Sequence, residues 1–163
     1  MNEAEFWKCI APLQDDIFRF SLSILKNEAD ASDAVQEVML KLWQKRDQLV
    51  GTERLKPLVM KTTKNHCIDL LRKQKRRTGT GISDGQMAIE PNYEHTDLLD
   101  FIKQQCSQLP EAQRMVLELK DFQGYDYSDI SEIMDVPIPS LRVLLSRARK
   151  AVLAKIHHGE RSI

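Results

Sequence analysis

Apolar residues recur at intervals of three and four along nearly the whole chain, the spacing that lines one face of an α-helix. Phe6, Ile10, Leu13, Ile17, Phe20 and Ile24 predict a first helix over 3–26. A polar break over 27–33 follows, in which Asp30 or Ser32 can cap a second helix. That helix carries Val35, Val38, Met39, Leu42 and Trp43 and ends before 47–52. A third long pattern, Leu55, Leu58, Val59, Thr62, His66, Ile68 and Leu71, runs into a basic cluster, with Pro57 near its start where a missing amide costs little. Residues 78–96 then lose all periodicity and hold three glycines, a proline and several Ser/Thr, the composition of a flexible linker. Four shorter helical patterns follow at 98–106, 111–122, 128–134 and about 139–157, joined by tight turns. The expected architecture is all-α: two small helical domains, 1–77 and 98–163, joined by a flexible linker over 78–97.

The last two patterns have the geometry of a helix-turn-helix. Ile130, Ile133 and Met134 face inward, Asp135-Val136-Pro137 makes a three-residue turn, and Leu141, Leu145, Ala148 and Val152 line one face of the final helix. Arg142, Arg147, Arg149 and Lys150 fall on its other faces, where long cations reach phosphates or base edges.

Composition narrows the class. Of 163 residues, 42% are hydrophobic, 29% charged and only 6% aromatic, a globular profile that favours helices over a β-sandwich. No apolar run approaches the ~18 residues of a membrane span, and no secretory signal opens the chain. The three cysteines, Cys9, Cys67 and Cys106, form no C-x-x-C pair, which argues against disulfides or structural zinc and fits a reducing cytosol. No Gly-rich phosphate loop, G-x-S-x-G or H-E-x-x-H spacing occurs among the candidate nucleophiles and the four histidines. Neither enzyme chemistry nor a metal or cofactor is expected.

Charge changes the picture more. The formal net charge is zero, but residues 61–77 hold seven basic groups against one acid and residues 142–155 hold five against none. Residues 111–135 carry seven acids against two bases, and the linker adds Asp84, Glu90, Glu94 and Asp97. Two basic stretches separated by acidic ones suit two contacts with a polyanion, and the acidic linker is expected to lie against either basic face in the free chain.

Leu109-Pro110-Glu111, Arg114-Met115, Tyr127–Met134, Pro137 and Arg147-Ala148-Arg149, in that order, resemble the −35-binding domain of bacterial sigma factors of the sigma-70 family, the extracytoplasmic-function (ECF) group in particular. The resemblance implies that the last helix is the recognition helix. Ser140, Arg142, Val143, Leu144, Ser146, Arg147 and Arg149 would then meet −35 DNA. Val143 and Leu144 replace the Ser and Arg of many relatives, and Pro139 replaces a common Gly. A second motif set lies in the first half. Asp33-Ala34-Val35-Gln36-Glu37 with Leu40-Lys41-Leu42-Trp43 resembles the helix that docks on the β′ coiled coil of RNA polymerase, which implies contacts through Asp33, Gln36, Glu37 and Lys41. Lys64 to Lys73 (KNHCIDLLRK) resembles the −10-reading, strand-opening segment. There Asn65 would line a pocket for a flipped base, with Lys61, Lys64, Asp69, Arg72, Lys73 and Arg76 around the strand. Leu58 replaces a frequent Trp, and 53–77 contain no aromatic for stacking.

The resemblance thus implies a bacterial cytoplasmic protein whose partners are core RNA polymerase (β′ coiled coil and β flap), promoter DNA and an anti-sigma factor, with no membrane insertion of its own. The rival is a stand-alone helix-turn-helix regulator, which accounts for 98–155 but leaves 33–43 and 64–77 without a role.

Overall fold

Residues 1–49, 53–78 and 98–161 are described by a computed structural model, and among them every regular element is helical. The expected linker lies outside the described residues except for Thr78, which ends a helix.

Helix α1 (Glu3–Ile10) starts on a reciprocal cap, with Asn2 Oδ1 accepting from the Glu5 amide at 2.8 Å and Glu5 accepting from the Asn2 amide at 3.1 Å. The single helix expected over 3–26 is broken at Pro12. A proline inside a continuous helix removes one backbone hydrogen bond and clashes with the carbonyl four residues back. The chain instead tightens into a 3-10 turn at Ala11–Leu13 and resumes as α2 (Gln14–Leu25). Helix α3 (Glu28–Gln44) is capped by Asn27, not by Asp30 or Ser32: its side chain accepts from the Asp30 amide at 2.8 Å, one turn earlier than expected. A short α4 (Arg46–Leu49) leads toward α5 (Leu55–Thr78). Helix α2 packs against both α3 and α5 around Phe6, Ile10, Ile17, Phe20, Ile24, Leu42 and Met60, all fully buried.

In the second half, α6 (Leu98–Cys106) lies against α9 (Ile138–Arg161). Helix α7 (Glu111–Leu117) buries four consecutive residues, Arg114 to Leu117. A helix is buried all round only when flanked on opposite sides, and α7 sits between α2 and α9. It continues as a π-helical turn, Glu118–Phe122, where an unbroken α-helix is expected from the sequence. Gly124, at φ +80, turns the chain toward α8 (Tyr127–Met134), which Asp126 caps through the Asp129 amide at 2.8 Å. Asp135, in the left-handed region at φ 55, starts the turn into α9.

The two halves are in contact: α7 lies against α2 and α8 along α5, and their buried side chains join in one apolar cluster. Buried Arg114 donates from Nε to the Ser23 carbonyl (2.8 Å) and from Nη1 to the Leu109 carbonyl (2.5 Å), and Gln123 donates to the Asp16 carbonyl (3.1 Å). Among the described residues no helix is long and apolar enough to cross a membrane.

Candidate nucleic-acid interface

On α3, the apolar stripe Ala31, Ala34, Val38 and Leu42 is turned to the core, so Asp33, Gln36 and Glu37 are solvent-exposed on the opposite side. Lys41 departs from this face. It is half-buried, its Nζ lying 3.0 Å from His66 Nδ1 on α5. Burial, and then the Lys41 charge, hold His66 below the ordinary histidine range, against the opposing pull of Glu37 and Asp69. The imidazole is therefore neutral near pH 7 and accepts from the ammonium, which ties α3 to α5.

Along α5, Val59, Met60, Thr63 and Cys67 face inward, and burial pushes the Cys67 thiol up to about 11. Asn65 is exposed, with both donor and acceptor available at its amide. Lys61, one turn before Asn65, and Lys64, next to it in the chain, are both half-buried, reaching Asp135 at 3.5 Å and 3.8 Å. Burial lowers the Lys64 pKa while Asp135 opposes the shift. Beyond them Asp69, Arg72, Lys73 and Arg76 are exposed, with Arg72 3.9 Å from Asp69. At Asn65 the helix thus offers an exposed neutral amide among cations, an arrangement that can hold phosphates on either side of a base.

On α9 the buried face is Leu141, Leu145, Ala148 and Val152, which at 100° per residue puts Val143, Ser146, Arg147 and Lys150 at the centre of the outward face. Ser140 is also exposed. Arg142 and Arg149 occupy its flank and are both engaged. The Arg142 guanidinium stands 5.4 Å over the Tyr127 ring, which also carries Lys120 at 4.8 Å. Arg149 makes a fork to Asp121 in the π-helical turn, at 2.9 Å and 2.6 Å. Leu144 is half-buried and packs on the core. Of the residues expected at −35 DNA, Val143, Ser146 and Arg147 are therefore the most outward. Arg149 sets the helix against the turn. Lys150 belongs with the outward set on periodicity alone. Tyr127, Asp121 and Arg54 carry contacts that no local motif announces.

Residues 9–77 match the model of sigma-70 region 2, and residues 102–152 that of sigma-70 region 4. The chain is 26% identical over 151 residues to the ECF RNA polymerase sigma factor SigM of Bacillus subtilis, covering 89% of this chain and 91% of SigM. It is 29% identical over 148 residues to RNA polymerase sigma factor SigV of the same organism, covering 87% and 85%. Among solved structures, the sigma factor RpoE of Bartonella quintana, held in complex with the anti-sigma factor NepR, superposes with a TM-score of 0.79 at 25% identity. That match covers 94% of this chain and 97% of RpoE. A stand-alone regulator would leave the region 2 match over 9–77 unexplained. With both regions present in order around residues 78–97, the chain belongs to the sigma-70 family as an extracytoplasmic-function sigma factor that directs promoter-specific transcription initiation.

Proposed function

We propose a division of labour in which a region 2-like domain (1–77) docks on core RNA polymerase and reads and opens the −10 element, while a region 4-like domain (98–163) reads the −35 element. Asp33, Gln36 and Glu37 face the β′ coiled coil, and Lys41 fixes their helix through His66. Asn65 reads a base flipped out of the −10 strand. A primary amide can pair with a Watson–Crick edge, and no aromatic residue in 53–77 offers a stacking alternative. Lys61, Lys64, Arg72, Lys73 and Arg76 hold the phosphates, and Asp69 orients Arg72. On α9, Arg147 and Ser146 meet the −35 groove, and exposed Val143 suits a thymine methyl group better than a guanine edge. Arg142 and Arg149 reach the backbone from the flank, with Ser140 and Leu144 framing the helix.

The protein acts by binding and does no covalent chemistry of its own. Its partners are core polymerase, including the β flap for the second domain, promoter DNA and an anti-sigma factor, the last because the similar RpoE is held by one. Its place is the bacterial cytoplasm, where polymerase and promoter are.

The observation that carries the docking role is the exposed polar face of α3, whose other face is already used for packing. Asp33→Arg combined with Glu37→Arg is expected to weaken core binding at least about tenfold in a pull-down titration. Stability should stay within about 0.5 kcal/mol, since neither side chain is buried. Unchanged affinity for core would remove the docking role.

A further inference from the structure

Asn65 is exposed, but its neighbour in the chain is not. Successive side chains on a helix diverge by about 100°, which turns His66 away from the outward face and toward α3. There its Nδ1 meets Lys41 Nζ at 3.0 Å, and both side chains are half-buried. A second polar link joins the same two helices about two turns on, where Gln74 donates to Asp30 at 3.5 Å. The inward face of α5 gives little further direction. It consists of Val59, Met60, Thr63 and Cys67, and Thr63 donates its hydroxyl to the Val59 carbonyl of its own helix. Apolar contacts are non-directional, so packing alone leaves the roll of α5 about its axis loosely set. A hydrogen bond at the flank, beside Asn65, sets it.

We propose that His66 is a positioning residue for base reading: accepting from Lys41, it fixes the roll of α5 on α3 and so aims Asn65 at the flipped base. This deepens the −10 assignment of Asn65 and rests on it. The link also couples that aim to polymerase docking. The charged groups acting most on the imidazole are Lys41 and Glu37 of α3 and Asp69 and Lys73 of its own helix. None of these comes from α2 or α8, the other helices packed on α5. Burial and then Lys41 hold His66 neutral, whereas Glu37 and Asp69 favour the proton. Glu37 also belongs to the polymerase-facing side of α3, so a partner cation that engages it removes that pull and leaves the acceptor in place. A protonated imidazole has no lone pair to offer Lys41 and carries the same charge, so the link is lost in acid. The sign follows from the lowered folded-state pKa. Support for the native arrangement is full above the ordinary histidine value of about 6.5 and is lost as the pH falls below it.

The test is open-complex formation by the full chain with core polymerase on a duplex promoter, followed from about pH 7.5 to about pH 5.5. His66→Gln keeps an acceptor but does not titrate in this range, so the ratio of natural chain to variant cancels the pH response of polymerase itself. The two should agree within about twofold at the upper pH, and the ratio should fall at least about threefold at the lower. His66→Lys, a fixed cation against Lys41, should show that loss at neutral pH with core binding unchanged, and adding Lys41→Met should relieve it. The loss should vanish in an Asn65→Ala background, a non-additivity that general loss of packing would not produce. A ratio that stays flat with pH, or a loss of equal size with and without Asn65, would overturn the positioning role. The pH ratio needs no charged variant, so it decides the matter even if His66→Lys fails to fold. Full activity of Asn65→Ala on its own would remove the base-pocket reading itself, a result distinct from a flat ratio with Asn65 still required.

Discussion

Phe20→Ala is expected to lower the unfolding free energy by about 3–5 kcal/mol, as read from urea denaturation. Phe20 is fully buried on α2, the helix that touches α3, α5 and α7 and so bridges both halves. Removing the ring takes away its transfer free energy and leaves a cavity that surrounding helices refill only in part. Against a typical total stability of about 5–15 kcal/mol, this loss brings the chain close to unfolding at growth temperature. The functional consequence is indirect: α5 loses the surface that aims Asn65 outward. A loss below about 1 kcal/mol would mean that α2 is not the centre of the packing.

Asn65→Ala is expected to reduce initiation at a duplex promoter while leaving core binding unchanged. Losing a good base-reading contact costs about 1–3 kcal/mol, which corresponds to roughly 5- to 150-fold in open-complex formation. The side chain is exposed and outside the packed core, so the folded state should be unaffected. Run-off transcription and permanganate footprinting of the −10 region would give the loss, and a filter-binding titration with core polymerase would give the control. Full activity of the variant on duplex DNA would remove the base-pocket role.

The helices were legible because apolar spacing is a local signal. Leu98–Cys106 has the bounds its periodicity predicts, and the outward faces of α3 and α9 follow from their inward ones. What escaped was of two kinds. Some of it is local chemistry that apolar spacing does not register: Pro12 interrupts the stripe from Phe6 to Ile24, and Asn27 caps α3 a turn before Asp30. The rest was non-local. Nothing near Arg149 announces Asp121, 28 residues away. Nothing near Arg54 points to Asp129 and Glu132, 75 and 78 residues on. The π-helical turn at Glu118–Phe122 belongs to this second kind, since it re-registers a helix flanked by α2 and α9. The site residues themselves came from motif resemblance. Periodicity alone reads Asp33, Gln36, Glu37 and Asn65 as ordinary solvated surface.

Reconstituted transcription with purified core polymerase on fragments of the source genome tests the central claim most directly. Mapped start sites should appear only when this protein is added, and the sequences upstream of them should share one −10 and one −35 element. The free chain should bind those elements only weakly. Absence of any start site that depends on the protein, or tight sequence-specific binding by the free chain that core polymerase neither needs nor changes, would contradict the account.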